Sequence, residues 1–215
     1  MQMTKNVNEE LKELLKYSKQ QIENFPWEDK QAYSAWVSQT YYFARHTTRL
    51  LALAGSRTEF AAPEFHNRFL THTTEEKGHD KLLVNDLKTL GSKMEEWPEM
   101  PGTCALYQTQ YYYIEHQSPM AFFGYILGLE ALAAYFGDHV NSRVEKAWGP
   151  KAAHFIRVHA EEDVGHTDEA LNKIASLPAH HQATVLQNLK QTLSYYEQML
   201  NECKQEAKVR PSKAA

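Results

Sequence analysis

The chain has 215 residues, 42% hydrophobic and 23% charged, which is ordinary globular composition and enough length for one domain with a sizeable core. A formal net charge of −4 gives no electrostatic reason to expect nucleic acid or an anionic membrane as partner, and no apolar run is read as spanning a bilayer. The polar N-terminus lacks the apolar core of a signal peptide and the two cysteines make no disulfide framework, so a cytoplasmic protein is expected.

Strand signals are nearly absent, and apolar residues recur at helical spacing throughout. A first helix is predicted over 7–24, ended by Pro26, and a second over 30–54, stopped by Gly55. The third begins at Pro63, a residue suited to a first helical position, and runs to Leu90 before Gly91. After a loop around Trp97 and Pro98, a fourth covers 103–116. Ser118 and Pro119 read as a cap and a first-turn proline, opening a fifth helix to Phe136 and Gly137. A short sixth at 140–147 is broken by Gly149 and Pro150, a seventh spans 151–177, and an eighth runs from Pro178 to about residue 207. These predict one helical domain over 1–208, an all-α bundle of seven or eight helices, with a disordered tail at 209–215.

Burying a charge is costly unless it is paired or bound to metal, so ionisable residues on apolar faces are informative. In the seventh helix Phe155, Ile156, Ala170 and Ile174 mark the apolar side. His159, Asp163 and His166 fall on that side, within roughly 60° of one another at about 100° per residue. Arg157, Glu161 and Asp168 point away. Two imidazoles and a carboxylate on one buried stripe suit iron, manganese or zinc.

The third helix repeats the pattern: His72, Glu76 and His79 share the side marked by Phe65, Phe69, Leu83 and Leu87. Glu76 and His79 form Glu-x-x-His, a spacing found in carboxylate-bridged metal sites but common by chance when alone. His72 reads equally as a ligand or as a hydrogen-bonded core histidine. In the fifth helix every residue from Met120 to Phe136 is apolar, glycine or tyrosine except Glu130. A lone carboxylate there is expensive to ionise without a cation. His46, with Tyr42, Tyr113 and Phe123, is expected near a substrate lying between the second, fourth and fifth helices, although His46 also fits a satisfied core histidine.

The ordered set Glu76-x-x-His79, Glu130 in Leu-Gly-Leu-Glu-Ala-Leu-Ala, and His159-x3-Asp163-x2-His166 resembles the haem-oxygenase-like di-iron oxidases. These are related in fold to thiaminase-like and pyrroloquinoline-quinone-synthase-like proteins. The segment from Arg45 to Ala54 also looks like iron-containing redox enzymes, and the resemblance covers roughly residues 30–200. It implies a haem-oxygenase-like helical bundle, a homodimer, and two ferrous ions per chain that activate dioxygen, the co-substrate, for oxidation of a small organic molecule. By position, His79, Glu130, His159, Asp163 and His166 match the family's ligands. Several members carry a glutamate seven residues before the first histidine, where this chain has His72; others place it three before, as Glu76 is.

Three alternatives stay open from the residues. A metal-free enzyme of the same fold would use histidines and tyrosines for acid–base work. A thiaminase-type hydrolase would need a nucleophilic cysteine facing the pocket, which neither Cys104 nor Cys203 is placed to supply. A non-catalytic iron-binding protein would hold metal without consuming oxygen.

Overall fold

The computed structural model describes residues 6–210, which form nine α-helices and three short 3₁₀ turns with no strand among them. α1 (Val7–Glu23) opens on Asn6, whose side chain accepts the Asn8 amide, and α2 (Lys30–Ala44) opens on Asp29, which accepts the amides of Gln31 and Ala32. Such acceptors satisfy amides that a first helical turn leaves free. After α3 (Thr47–Arg57), first-turn prolines start both α4 (Pro63–Glu75) and α6 (Pro101–His116), with α5 (His79–Thr89) between them. A 3₁₀ turn at Pro119–Ala121, capped by Ser118, leads into α7 (Phe122–Trp148). α8 (His154–Ser176) and α9 (Ala179–Val209) complete the bundle.

The helical segments expected from the sequence are all present, but two are divided and two are fused. The predicted second helix is interrupted at Arg45 and His46, where the His46 amide bonds only three residues back, to the Phe43 carbonyl. No proline or glycine marks that break. The predicted third helix stops at Glu75 and restarts at His79, because Gly78 sits at φ 96° and ψ 0°. This left-handed geometry is open to glycine without strain. The predicted fifth and sixth helices are one: α7 runs through Gly137 and ends before Gly149. Gly137 is a contact residue rather than a stop. A Cβ built there would lie 2.7 Å from the Cβ of Ala160, so the pair lets α7 and α8 approach closely.

α7 is the central helix, packed chiefly on α8 and α9. Its close contact with α9 falls at Gly124, where a Cβ would come within 2.3 Å of the Val185 carbonyl oxygen. Being enclosed on several sides, α7 is apolar around most of its circumference. The Pro119–Trp148 segment therefore is long and apolar enough to cross a membrane, contrary to the reading that no run is, and 72% of its most apolar window is buried in the bundle. Asp86 of α5 fixes the start of α8 by accepting the amides of Phe155 at 2.9 Å and His154 at 3.3 Å. Burial pushes the Asp86 carboxyl up to about 6, with these two amides opposing the rise. Val209 and Arg210, expected in the disordered tail, are structured. α9 includes Val209, and the Arg210 guanidinium lies 4.0 Å over the Trp97 ring while donating to the Glu96 carbonyl. Residues 211–215 of the expected tail lie outside the described residues.

Candidate metal centre

The predicted ligands of α4, α5, α7 and α8 meet in the bundle interior. Glu130 of α7 is 5% exposed, and neither of its carboxylate oxygens has a hydrogen-bond partner. Burial, and then the nearby Asp163, push its carboxyl well above the usual range. His72 of α4 aims Nε2 at Glu130 Oε1, 3.3 Å away, and at Glu76 Oε1, 3.5 Å away. The other Glu76 oxygen, Oε2, lies 3.3 Å from His79 Nδ1. Neither His72 Nε2 nor His79 Nδ1 has a partner in hydrogen-bonding geometry.

The break between α4 and α5 is what makes this possible. Glu76 is the residue that ends α4 and His79 the first of α5. One carboxylate therefore faces imidazoles on two helices. Burial alone would raise the Glu76 carboxyl, but His72 and His79 against it, with His159 beyond, hold it below the usual carboxylate range. Glu76 in turn holds the His79 imidazolium form above its ordinary range, with burial opposing.

On α8, His159 donates Nδ1–H to the Phe155 carbonyl at 2.9 Å, since a carbonyl only accepts. That bond leaves Nε2 as the free lone pair and sets the ring's orientation, as ligating histidines require. The His159 and His79 rings meet edge-on with centroids 4.9 Å apart. Asp163 Oδ1 is 3.1 Å from His166 Nδ1, and this carboxylate raises the His166 pKa against the effect of burial.

The donors fall into two sets, His72 with Glu130 and His166, and Glu76 with His79 and His159; within each, the ligand atoms lie within 4.8 Å of one another. Each set is two imidazoles and one carboxylate, a combination that with open positions suits non-haem ferrous iron. Glu76, 3.5 Å from His72, links the sets. Asp163, also expected as a ligand, belongs to neither set and lies against His166. The buried donors left without hydrogen-bond partners are what a cation would satisfy, so the residues fit a metal site.

Sequence reasoning missed Arg68. Its guanidinium is buried, 2.9 Å from Glu75 Oε2 and 3.0 Å from Glu169 Oε1, and it tempers the negative charge felt by Glu130. Its position four residues before His72, on the same helical face, was the available signal.

A largely apolar cavity of about 130 Å³ adjoins the centre. His72, Glu76, Glu130, His159 and Asp163 form its polar wall, and the rest is mostly side chains of α2, α7 and α8 such as Trp36, Phe43, Phe136 and Phe155, closed by Ile22, Trp27, Thr47 and Tyr196. None of the four residues expected to hold substrate lines it. His46 bonds the Tyr111 hydroxyl at 2.9 Å and stacks on Tyr107; Tyr42 donates to the Trp97 carbonyl at 2.8 Å. Tyr113 donates to Gln191 Oε1 at 2.8 Å, and Phe123 packs on Phe65 and Phe69. Their polar atoms are satisfied away from the centre, and no α6 residue reaches the cavity. Cys104 and Cys203 do not line it either. Glu76 also lines a separate surface depression, together with Arg45, Lys77 and Lys81.

No curated protein matches the sequence. Among solved structures, a domain of unknown function with a heme oxygenase-like fold from Shewanella denitrificans OS217 superposes with a TM-score of 0.82 at 19% identity, covering 95% of this chain and 94% of that one. A TenA homolog from Pseudomonas syringae pv. tomato str. DC3000 gives a TM-score of 0.77 at 15% identity, covering 93% of each chain. These likenesses establish the heme oxygenase-like fold. The sequence profile of a family described as iron-containing redox enzyme matches residues 34–197.

Proposed function

Because the chain belongs to the iron-containing redox enzyme family, we propose that it is a di-iron oxidase that uses dioxygen on a small organic substrate held in the apolar cavity. One ion is held by His72, Glu130 and His166, the other by Glu76, His79 and His159. Asp163, beside His166, is a further carboxylate for the first of these. When bound, ferrous iron supplies the reduction of dioxygen, chemistry that no side chain provides.

The chain's own residues do the rest. The Phe155 carbonyl and the Asp163 carboxylate hold the rings of His159 and His166 in fixed orientations. Glu76 shares its two oxygens between imidazoles on two helices. The aromatic walls exclude water and keep the organic substrate next to Glu130. Arg68 offsets the accumulated carboxylate charge.

The observation that carries this reading is the pair of two-histidine, one-carboxylate sets with partnerless donor atoms. Its test is anaerobic titration of the chain with ferrous iron before exposure to oxygen. The expected result is two irons per chain, one in His159→Ala and one in Glu130→Ala, with a transient optical band on adding oxygen. A single iron in the unaltered chain would mean that the two sets act as one mononuclear site. No binding would leave a metal-free acid–base enzyme, and iron bound without oxygen consumption would leave an iron-binding protein.

A further inference from the structure

The cavity runs along α7 from Tyr125 to Val140 and along α2 from Trp36 to Ala44. On α7 that is about 22 Å of helix at 1.5 Å per residue. Glu130 lies part-way along it, so the longer arm extends from the centre toward Phe136, Val140 and Trp36, and ends against Ile22 and Trp27. No lysine or arginine among the described residues lines the cavity. Away from the ligand residues an anionic group would have no counter-charge, and taking it from water would be costly. The carboxylates of the polar wall face imidazoles and, on the di-iron reading, would be taken up by the ions, which leaves no free counter-charge for an ammonium group.

Apart from the ligand residues, two lining groups are buried without a hydrogen-bond partner: the Thr40 hydroxyl and the Tyr125 hydroxyl. Thr40 is 1% exposed and Tyr125 2% exposed. Helical threonines commonly bond back to a carbonyl one turn earlier, as Thr73, Thr89 and Thr109 do here. Thr40 makes no such bond. Thr47 stands beside Tyr125 without a hydrogen bond of ordinary geometry. The distal Tyr196 hydroxyl, by contrast, accepts from Trp36 Nε1 at 3.0 Å. Buried polar groups are rarely left unmet, and leaving one so costs more than a hydrogen bond gains.

We infer that the cavity binds an uncharged, elongated apolar molecule carrying a hydrogen-bonding group such as a hydroxyl or carbonyl, and that Thr40 and Tyr125 are the residues that select for that group. This rests on the cavity being the substrate site of the metal centre. The apolar arm sets the shape of the ligand, and the two hydroxyls set which of its ends lies toward Glu76 and Glu130.

Trp27 and Trp36 line the cavity and report its occupancy by their fluorescence. The full chain, as isolated and again after chelator treatment, is titrated with octyl alcohol, octylamine and octanoate. Saturable change with the alcohol is expected, with the two charged probes at least tenfold weaker. Thr40→Val and Tyr125→Phe, which keep side-chain shape, each weaken the alcohol about fivefold and leave circular dichroism unchanged. Equal or tighter binding of either charged probe overturns the inference, as does the absence of saturation, or alcohol binding that neither substitution alters by twofold. Retained alcohol binding in a chain that takes up no iron would overturn the di-iron reading alone. Two irons per chain with no alcohol binding would overturn this inference alone.

Discussion

Along α8, His159, Asp163 and His166 descend one continuous helix, whereas His72, Glu76 and His79 come from a helix that stops and restarts. The first group is held by the period of the helix, and each ring is further fixed by a local acceptor, Phe155 O or Asp163. The second depends on a bend, in which a glycine at positive φ lets a terminal glutamate and a starting histidine turn toward each other. A regular helix places donors by repetition and tolerates change between them. A junction places them by one backbone conformation and does not.

The largest expected effect separates the two sharply. Gly78→Val puts a branched side chain at φ 96°, which costs about 2 kcal/mol. It should also strip iron from the Glu76, His79 and His159 set while the other set keeps its ion. Thermal unfolding and iron counting read both effects, and loss of both ions together would mean that the junction is not a separate structural unit. Next in size is pH. The raised pKa values of His79 and His166 mean that an incoming ion displaces protons held above the ordinary value of about 6.5. Ferrous affinity should therefore fall by about tenfold between roughly pH 8 and pH 6, with proton release measurable by calorimetry. The metal-free chain should show the opposite slope from these groups, a stability present below about pH 6.5 and lost as pH rises through the raised values.

Asp86→Ala tests how the two walls depend on each other, since this α5 residue caps α8. It should lower stability by about 1 kcal/mol and weaken iron at both sets, because each takes one histidine from α8. An effect confined to His79's set would show that the α8 start is held by packing alone. The smallest effect is a gain. Gly165 lies inside α8 with nothing within 4 Å of a built Cβ, so Gly165→Ala should add roughly 0.8 kcal/mol with iron content unchanged.

This contrast also explains what could be read in advance. The α8 stripe was legible because 100° steps hold along an unbroken helix, and Glu130 because it alone is charged among the apolar residues around it. Glu76 and His79 were placed together by a helical wheel that does not apply across Gly78; the structure brings them together by a different geometry. Gly137 read as a stop because sequence does not show that Ala160 lies opposite it. The break at Arg45 and His46 has no breaker residue at all. The cavity was out of reach for the same reason: its walls come mainly from α2, α7 and α8, with residues of α1, α3, α4 and α9, packed together. Tyr42 and Tyr113 looked free only because their partners, a loop carbonyl and an α9 glutamine, are distant in sequence.

Glu76 borders both the interior cavity and the surface depression beside Arg45, Lys77 and Lys81. That single side chain works as a party wall between the apolar chamber and the water outside it.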